Sequence, residues 1–271
     1  MTARASVAAA LLCASLTAAC GAPLVKLPTG TAAPAADAGQ ALAQAVARCR
    51  AVHSVSAEVA VSGRVGGRRM RGRLLAGLSA PASAYLDAPA PFGASVFILT
   101  AIGDAATLLL PRDRRVLEGG RPADVLEAIA GVPLGPEDLR ATLTGCAGEG
   151  DTRGAQQLGD HWRVIPGPPT LYMRRERAAD PWRLVVVVHR QLGRPEWRAE
   201  YHDFLGDLPR TMRLTSSEPG RFDIRLALSQ VEINVPLDEA TFHLAVPQGY
   251  APITLTELRD AGPLADQERQ R

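Results

Sequence analysis

Residues 122–144 read PADVLEAIAGVPLGPEDLRATLT, and this stretch decides the fold. Pro122 suits the first turn of a helix because that position needs no backbone N–H, and apolar residues follow it at helical spacing. Gly131 and Pro133 end this helix, and Pro136 opens a second one. The stretch therefore predicts two short helices joined by a tight break in the middle of the chain.

Strand-like segments lie on both sides of this helical pair. They are rich in Val and Leu and are separated by turns that contain Gly and Pro. An amphipathic helix that begins near Gln40 and ends before His53 precedes them. About a dozen strands with so few helices predict a mainly β fold, a strongly curved antiparallel sheet covered by short helices on its concave side. The predicted strands are 55–65, 69–78, 82–87, 94–101, 105–110, 114–118, 161–165, 170–176, 182–190, 196–204, 208–215 and 221–235.

The N-terminus carries a pattern typical of export and lipidation. Residues 1–19 form a short apolar stretch, too short for the roughly 20 residues of a membrane span, and are predicted to be a signal peptide. The stretch ends in LTAACG, which resembles a lipobox and predicts acylation of Cys20, although Leu16 lies one residue further from the cysteine than usual. The alternative is an ordinary signal peptide that leaves Cys20 as a free thiol.

The mature chain is predicted to hold one domain. Residues 20–38 are predicted to be the lipidated Cys20 and a flexible tether, rich in Pro, Gly and Ala, that reaches roughly 25 Å. Residues 39–250 are predicted to form the barrel domain, and 251–271 a charged C-terminal tail. Cys49 and Cys146 are the two cysteines left in the domain, and in an oxidising envelope we hypothesise that they form a disulfide.

Composition and motifs argue against several functions. The formal net charge of +2 gives no sign of the strongly basic surface that nucleic-acid binding requires. No nucleophile elbow, zinc-protease motif, Cys-x-x-Cys pair or phosphate loop is present, so no catalytic residue, metal site or cofactor is predicted, and the chain is not expected to be an enzyme. The best remaining constellation is His189 and His202, which could face each other across the hairpin of strands 182–190 and 196–204.

An arginine stripe occupies the start of the second predicted strand. Arg69, Arg71 and Arg73 alternate with Met70, Gly72 and Leu74, so one face of the strand is basic and the other apolar. One interpretation is a solvated outer face. The other is a surface that meets anionic headgroups or an acidic partner.

Three local stretches carry a resemblance to a known family. They are residues 90–93 (APFG) between two strands, 129–134 (IAGVPL) at the break between the helices, and the strand pair at 208–214 and 222–226. With the order of elements, these stretches resemble the LolA/LolB lipoprotein-localisation family. The chain is more similar to LolB because it is predicted to be a lipoprotein itself.

The resemblance implies a half-open antiparallel β-barrel whose helices form a lid over an apolar cavity. That cavity would accept the acyl chains of a lipoprotein or lipid and deliver them to a membrane. Individually, each residue of this type is more often plain core than cavity wall. The candidates are Val96, Ile98, Leu108, Leu110, Leu184, Val186 and Val188 on strands, and Leu126, Ile129, Val132, Leu134 and Leu139 in the lid.

The loop Pro91, Phe92 and Gly93 has two interpretations. In the family, an exposed leucine at the position of Phe92 inserts toward the membrane during delivery, so the resemblance implies a membrane-insertion loop. Alternatively, Phe92 packs under the sheet as a first strand residue.

The resemblance also implies partners and a location. It implies a monomer anchored by lipid on the outer membrane, facing the periplasm, with a LolA-like carrier as a candidate partner. Gly21 after the cysteine agrees with outer-membrane sorting, since an Asp at this position retains some lipoproteins in the inner membrane. Two other functions remain open: an envelope structural or assembly lipoprotein without a cavity, and a hydrolase.

Overall fold

A computed structural model describes residues 23–146 and 150–261. The predicted signal peptide and the lipidation of Cys20 lie outside the described residues. Within them, one sheet has the strand order β1-β8-β9-β10-β11-β12-β13-β14-β2-β3-β4-β5-β6-β7-β15. The strands are β1 (Ala33–Pro34), β2 (Ser54–Val65), β3 (Arg68–Ser79), β4 (Ser83–Ala88), β5 (Phe97–Ile102), β6 (Ala105–Leu110), β7 (Arg115–Gly120), β8 (Gln156–Leu158), β9 (Trp162–Ile165), β10 (Thr170–Arg174), β11 (Arg183–His189), β12 (Trp197–His202), β13 (Thr211–Ser216), β14 (Phe222–Ile233) and β15 (Ala251–Pro252).

The sheet is two antiparallel meanders joined by their longest strands. β14 pairs with β2 from Phe222 opposite Val65 to Ile233 opposite Val55. Within this pair Gly63 has a φ of +145°, and a Cβ there would lie 2.0 Å from the carbonyl oxygen of Asp223, so only glycine fits. The two edges of the sheet, β1 and β15, are not paired with each other. The sheet is therefore a curved, unclosed barrel, and the predicted fold class is confirmed.

Four helices accompany the sheet in the described residues: α1 (Ala38–Arg50), α2 (Pro122–Ala130), α3 (Pro136–Thr144) and α4 (Leu255–Ala261), with a 3₁₀ turn at Glu239–Phe242. The apolar faces of α1, α2 and α3 belong to the same buried cluster as the inner face of the sheet. α1 lies against β9, β10 and β11. The helices predicted before and between the strand runs are thus present, and their burial on one face of the sheet supplies the core.

The prediction of a flexible tether is wrong for residues 23–37, which the structure describes. Residues 23–37, here called the strap, cross the outer face of the sheet. Val25 and Leu27 pack on the apolar cluster around Val186, and β1 pairs with β8. Asp37 at the end of the strap forms an ion pair with the buried Arg163 at 2.6 Å. A proline-rich segment cannot form a helix, but two apolar side chains two residues apart suit an extended strand that covers a sheet.

The predicted charged tail is also wrong over residues 251–261. β15 adds to β7 in the parallel sense at the sheet edge, and α4 lies against α2. Ile253 and Leu258 are buried, which explains why this segment docks. No helix in the described part of the chain is both long enough and apolar enough to cross a membrane.

Candidate functional site

An apolar cavity lies between the centre of the sheet and the two mid-chain helices. Its volume is about 100 Å³, which is less than the roughly 300–1,000 Å³ of small-molecule sites. The wall is almost entirely aliphatic. The lining residues are Val59, Val61, Met70, Arg71, Gly72, Arg73, Leu74, Ala76, Leu86, Ala88, Phe97, Leu126, Ile129, Ala130, Val132, Leu134, Leu139, Leu143, Leu214, Ile224 and Leu226.

The break between α2 and α3 turns its apolar side chains toward the sheet. Gly131 caps α2 in the left-handed conformation, with a φ of 74°, and its N–H donates to the carbonyl oxygen of Glu127 at 2.8 Å. A Cβ at Gly131 would lie 2.8 Å from Cγ1 of Val65. Glycine therefore allows this turn to lie directly on β2 and places Val132 and Leu134 in the cavity wall.

Three contacts hold the two helices over the cavity. Nη1 of Arg140 on α3 donates to the carbonyl oxygen of Val52 at 2.9 Å. Just beyond α3, Cys146 forms a disulfide with Cys49 of α1, as hypothesised from the cysteine count. On α2, Glu127 accepts from Nη2 of Arg221 at 2.6 Å. α3 is thus tied covalently, whereas the contacts that hold α2 include partly buried ion pairs.

All five lid residues predicted to line the cavity do line it: Leu126, Ile129, Val132, Leu134 and Leu139. The strand predictions are wrong. Val96, Leu108, Leu110 and Leu184 are buried in the core but do not form the cavity wall. On β5 it is Phe97 that lines the cavity, and the half-buried Ile98 alternates to the other face of the sheet.

Val186 and Val188 face the outside of the sheet because of a β-bulge. Val186 pairs with Tyr172, but Leu184 already pairs with the next residue, Met173, so Val185 is the extra residue in β11. One extra residue reverses the alternation of faces beyond it. Leu184 therefore faces the core, whereas Val186 and Val188 lie under the strap.

Several lining residues were missed although their strands were predicted. Phe222, Ile224 and Leu226 alternate along β14, and Ile224 and Leu226 line the cavity together with Leu214 of β13. The alternation marked one face of this strand pair as apolar, but it did not show that β14 and β2 form the middle of the sheet, opposite the lid.

Phe92 is exposed. It is 91% accessible in the loop between β4 and β5, so it does not pack under the sheet as a first strand residue. The flanking Pro91 and Gly93 are exposed as well.

The two candidate histidines do not meet. His189 lies opposite Trp197 in the β11–β12 pair, and the rings stack with centroids 3.8 Å apart. Burial lowers the pKa of His189 to about 4. His202 lies at the far end of β12, 3.4 Å from Oε2 of Glu200. Among the described residues, no group of three or more His, Cys, Asp and Glu side chains could hold a metal ion.

Comparison with known proteins identifies the fold. No family model matches the chain, and no curated protein matches it in sequence. Among solved structures it resembles a LolA superfamily protein from Nitrosomonas europaea, with a TM-score of 0.54 and 12% identity over 76% of this chain and 97% of that one. Looser likenesses are to a DUF1329 family protein from Desulfovibrio piger (TM-score 0.45, 13% identity, 76% and 96% covered) and an outer membrane lipoprotein-sorting protein domain from Vibrio parahaemolyticus (TM-score 0.43, 14% identity, 76% and 97% covered).

The unclosed sheet, the two mid-chain helices and the apolar cavity place the chain in the class of half-open antiparallel barrels with lid helices. Within that class, the chain has the fold of the LolA superfamily, as the three sequence stretches implied.

Proposed function

We propose that the chain binds acyl chains of a lipid or lipoprotein in the cavity beneath α2 and α3. The cavity itself carries the proposal, because its wall is almost entirely apolar and two short helices cover it. Each methylene moved from water into such a wall contributes roughly 0.8 kcal/mol. A carrier of acyl chains needs an apolar cavity and a lid, and no catalytic group.

We also propose that the chain is an envelope lipoprotein with a LolB-like role. In this role it is held through acylated Cys20, on the outer membrane and facing the periplasm, and receives cargo from a LolA-like carrier. The lipobox-like N-terminus supports the anchor, and the exposed Phe92 supports delivery to a membrane. In this proposal Phe92 enters the bilayer interface while the cargo leaves the cavity.

Acyl binding is tested with the mature chain that carries Cys20→Ser and therefore no anchor. Native mass spectrometry of the purified protein should find bound lipid, and a fluorescent fatty acid should bind. Leu139→Trp places a larger side chain in the cavity wall and should weaken fatty-acid binding at least ten-fold. Leu205→Trp, on a side chain that is 65% exposed in another loop, should leave binding unchanged. Absence of both bound lipid and probe binding in the unsubstituted chain would overturn the proposal.

Delivery is tested by transfer of a lipidated protein from a LolA-like carrier to vesicles. Phe92→Glu should bind cargo normally but transfer it more slowly, because a carboxylate cannot enter the apolar interface. Leu205→Glu is the matched control and should transfer normally. If Phe92→Glu delivers cargo as fast as the unsubstituted chain, the insertion role is wrong, although the acyl-binding proposal would stand.

A further inference from the structure

The two most exposed large apolar side chains in the described residues lie in separate loops. Phe92 is in the β4–β5 loop, and Leu192, fully exposed, is at the tip of the β11–β12 turn. Single exposed apolar residues are common on soluble proteins, but two at loop tips on one side of a molecule suggest a surface that they enter together.

Hydrogen bonds place the β11–β12 turn beside two other turns. The N–H of Gly66 in the β2–β3 turn donates to the carbonyl oxygen of Arg221 in the β13–β14 turn at 2.9 Å. The N–H of Ser217 in that same turn donates to the carbonyl oxygen of Glu196 in the β11–β12 turn at 2.8 Å. Arg194 and Arg221 then both reach Glu127 of α2, at 3.4 Å and 2.6 Å. These turns therefore lie at one end of the barrel, next to the lid.

The β4–β5 loop lies at the same end. Asp87 near the end of β4 pairs with Leu75, so β4 runs toward the β2–β3 turn. Nε of Arg112 in the β6–β7 turn also donates to the carbonyl oxygen of Ala94 in the loop at 3.4 Å. Phe92 and Leu192 thus project from the end of the barrel at which the break between α2 and α3 lies on Val65.

This end is basic. Its turns and the adjoining strand ends hold Arg64, Arg68, Arg69, Arg112, Arg114, Arg190, Arg194 and Arg221, and they hold fewer carboxylates. Glu127, Glu196 and Glu218 are already in ion pairs with arginines.

Arg64 and Arg69 are directly opposite each other in the β2–β3 hairpin. Like charges in this position repel. The carboxylate opposite Arg64 on its other side, Asp223, is bound by Arg213 at 2.6 Å. Within the described residues, neither Arg64 nor Arg69 has an ion pair. An anion supplied from outside the chain would relieve this repulsion.

We propose that this end of the barrel docks on an anionic bilayer, with Leu192 as a second apolar insertion residue in addition to Phe92. Arg64, Arg68 and Arg69 bind lipid phosphates, and the end that carries the break between the lid helices faces the bilayer. The inference rests on the proposed delivery role, which it extends by naming the anionic lipid surface and the residues that meet it. Apolar insertion combined with basic contacts is the way that peripheral proteins select anionic membranes.

The test is co-sedimentation of the Cys20→Ser chain with vesicles of phosphatidylglycerol or phosphatidylcholine that carry the same acyl chains. Binding should be strong to phosphatidylglycerol, weak to phosphatidylcholine, and reduced by salt. Leu192→Glu should lower the partition coefficient roughly ten-fold. Arg64→Gln and Arg69→Gln should each lower it roughly five-fold, and only on phosphatidylglycerol. The controls at the opposite end of the barrel, Leu205→Glu and Arg177→Gln, should bind as the unsubstituted chain does.

Fatty-acid binding in solution is measured on the same samples to separate the two proposals. Normal fatty-acid binding with equal sedimentation on both vesicle types, or with no effect of Leu192→Glu, would overturn the docking surface and leave the cavity proposal intact. If the unsubstituted chain does not bind fatty acid at all, the cavity proposal is overturned instead.

Discussion

The backbone N–H of Val25 donates a hydrogen bond to Oε2 of Glu200 at 3.0 Å. Glu200 is completely buried on the outer face of β12, and Arg198 beside it binds both its carboxylate and the carbonyl oxygen of Val25. Burial opposes ionisation of Glu200, but the hydrogen bonds from His202, Val25 and Arg198 together hold its pKa below the ordinary value. A charged carboxylate therefore fastens the strap to the sheet.

We predict that Glu200→Gln releases the strap. Lys26, the only lysine in the chain, lies next to Val25 and makes a single cleavage site for a lysine-specific protease. Cleavage after Lys26 should be slow in the unsubstituted chain and several-fold faster in Glu200→Gln. Glu196→Gln on the same hairpin, where the side chain is partly exposed, should not change the rate. Equal cleavage rates in all three proteins would show that Glu200 does not hold the strap.

The same contact has a pH dependence. Because the folded-state pKa of Glu200 lies below its value of 4.5 in the unfolded chain, its contribution to strap docking is present above pH 4.5 and is lost as the pH falls through the folded-state pKa. At each pH the cleavage rate of the unsubstituted chain is divided by that of Glu200→Gln, so that the protease's own pH dependence cancels, and this ratio should rise toward one as the pH falls.

The strap shows where reasoning from sequence succeeded and where it could not. Apolar alternation and Gly/Pro turns predicted the strands, because both are local signals. The pattern at 129–134 likewise predicted the lid residues. Docking of the strap depends on Val186 and Val188 being on the outer face, and that depends on one extra residue, Val185, in β11. A bulge leaves no local signal in a run of four valines, so the face of each valine could not be predicted.

We predict that the Cys49–Cys146 disulfide is a major source of stability. The bridge closes a loop of 97 residues between α1 and the end of α3. In the chain-entropy model such a loop contributes roughly 4–5 kcal/mol to the free energy of unfolding. Urea unfolding of the reduced protein should therefore show a loss of this size, and the double variant Cys49→Ser, Cys146→Ser should match it without reductant. Two reactive thiols in the unfolded, unreduced protein would contradict the prediction.

Gly131→Ala should destabilise the lid through two effects. The left-handed φ of 74° costs a residue with a Cβ roughly 1–2 kcal/mol, and the new Cβ would lie 2.8 Å from Cγ1 of Val65. Gly66→Ala is the matched control, since its φ is +56° and no atom lies within 4 Å of the added Cβ. Gly131→Ala should lose more unfolding free energy than Gly66→Ala and should also weaken fatty-acid binding. Equal losses would mean that β2 gives way to the added methyl group without cost.

His189 should make the stability of the domain fall in mild acid. Burial lowers the pKa of His189 to about 4 in the folded chain, compared with 6.5 when unfolded. The unfolded chain therefore binds the proton more readily, so the stability contributed by neutral His189 is complete above pH 6.5 and is lost as the pH falls toward 4. Between pH 7 and pH 5 the loss should be roughly 2 kcal/mol. His189→Phe keeps an aromatic ring against Trp197 and should remove this loss in urea unfolding, whereas His161→Gln at an exposed position should retain it. The same pH dependence in His189→Phe and the unsubstituted chain would assign it to another group.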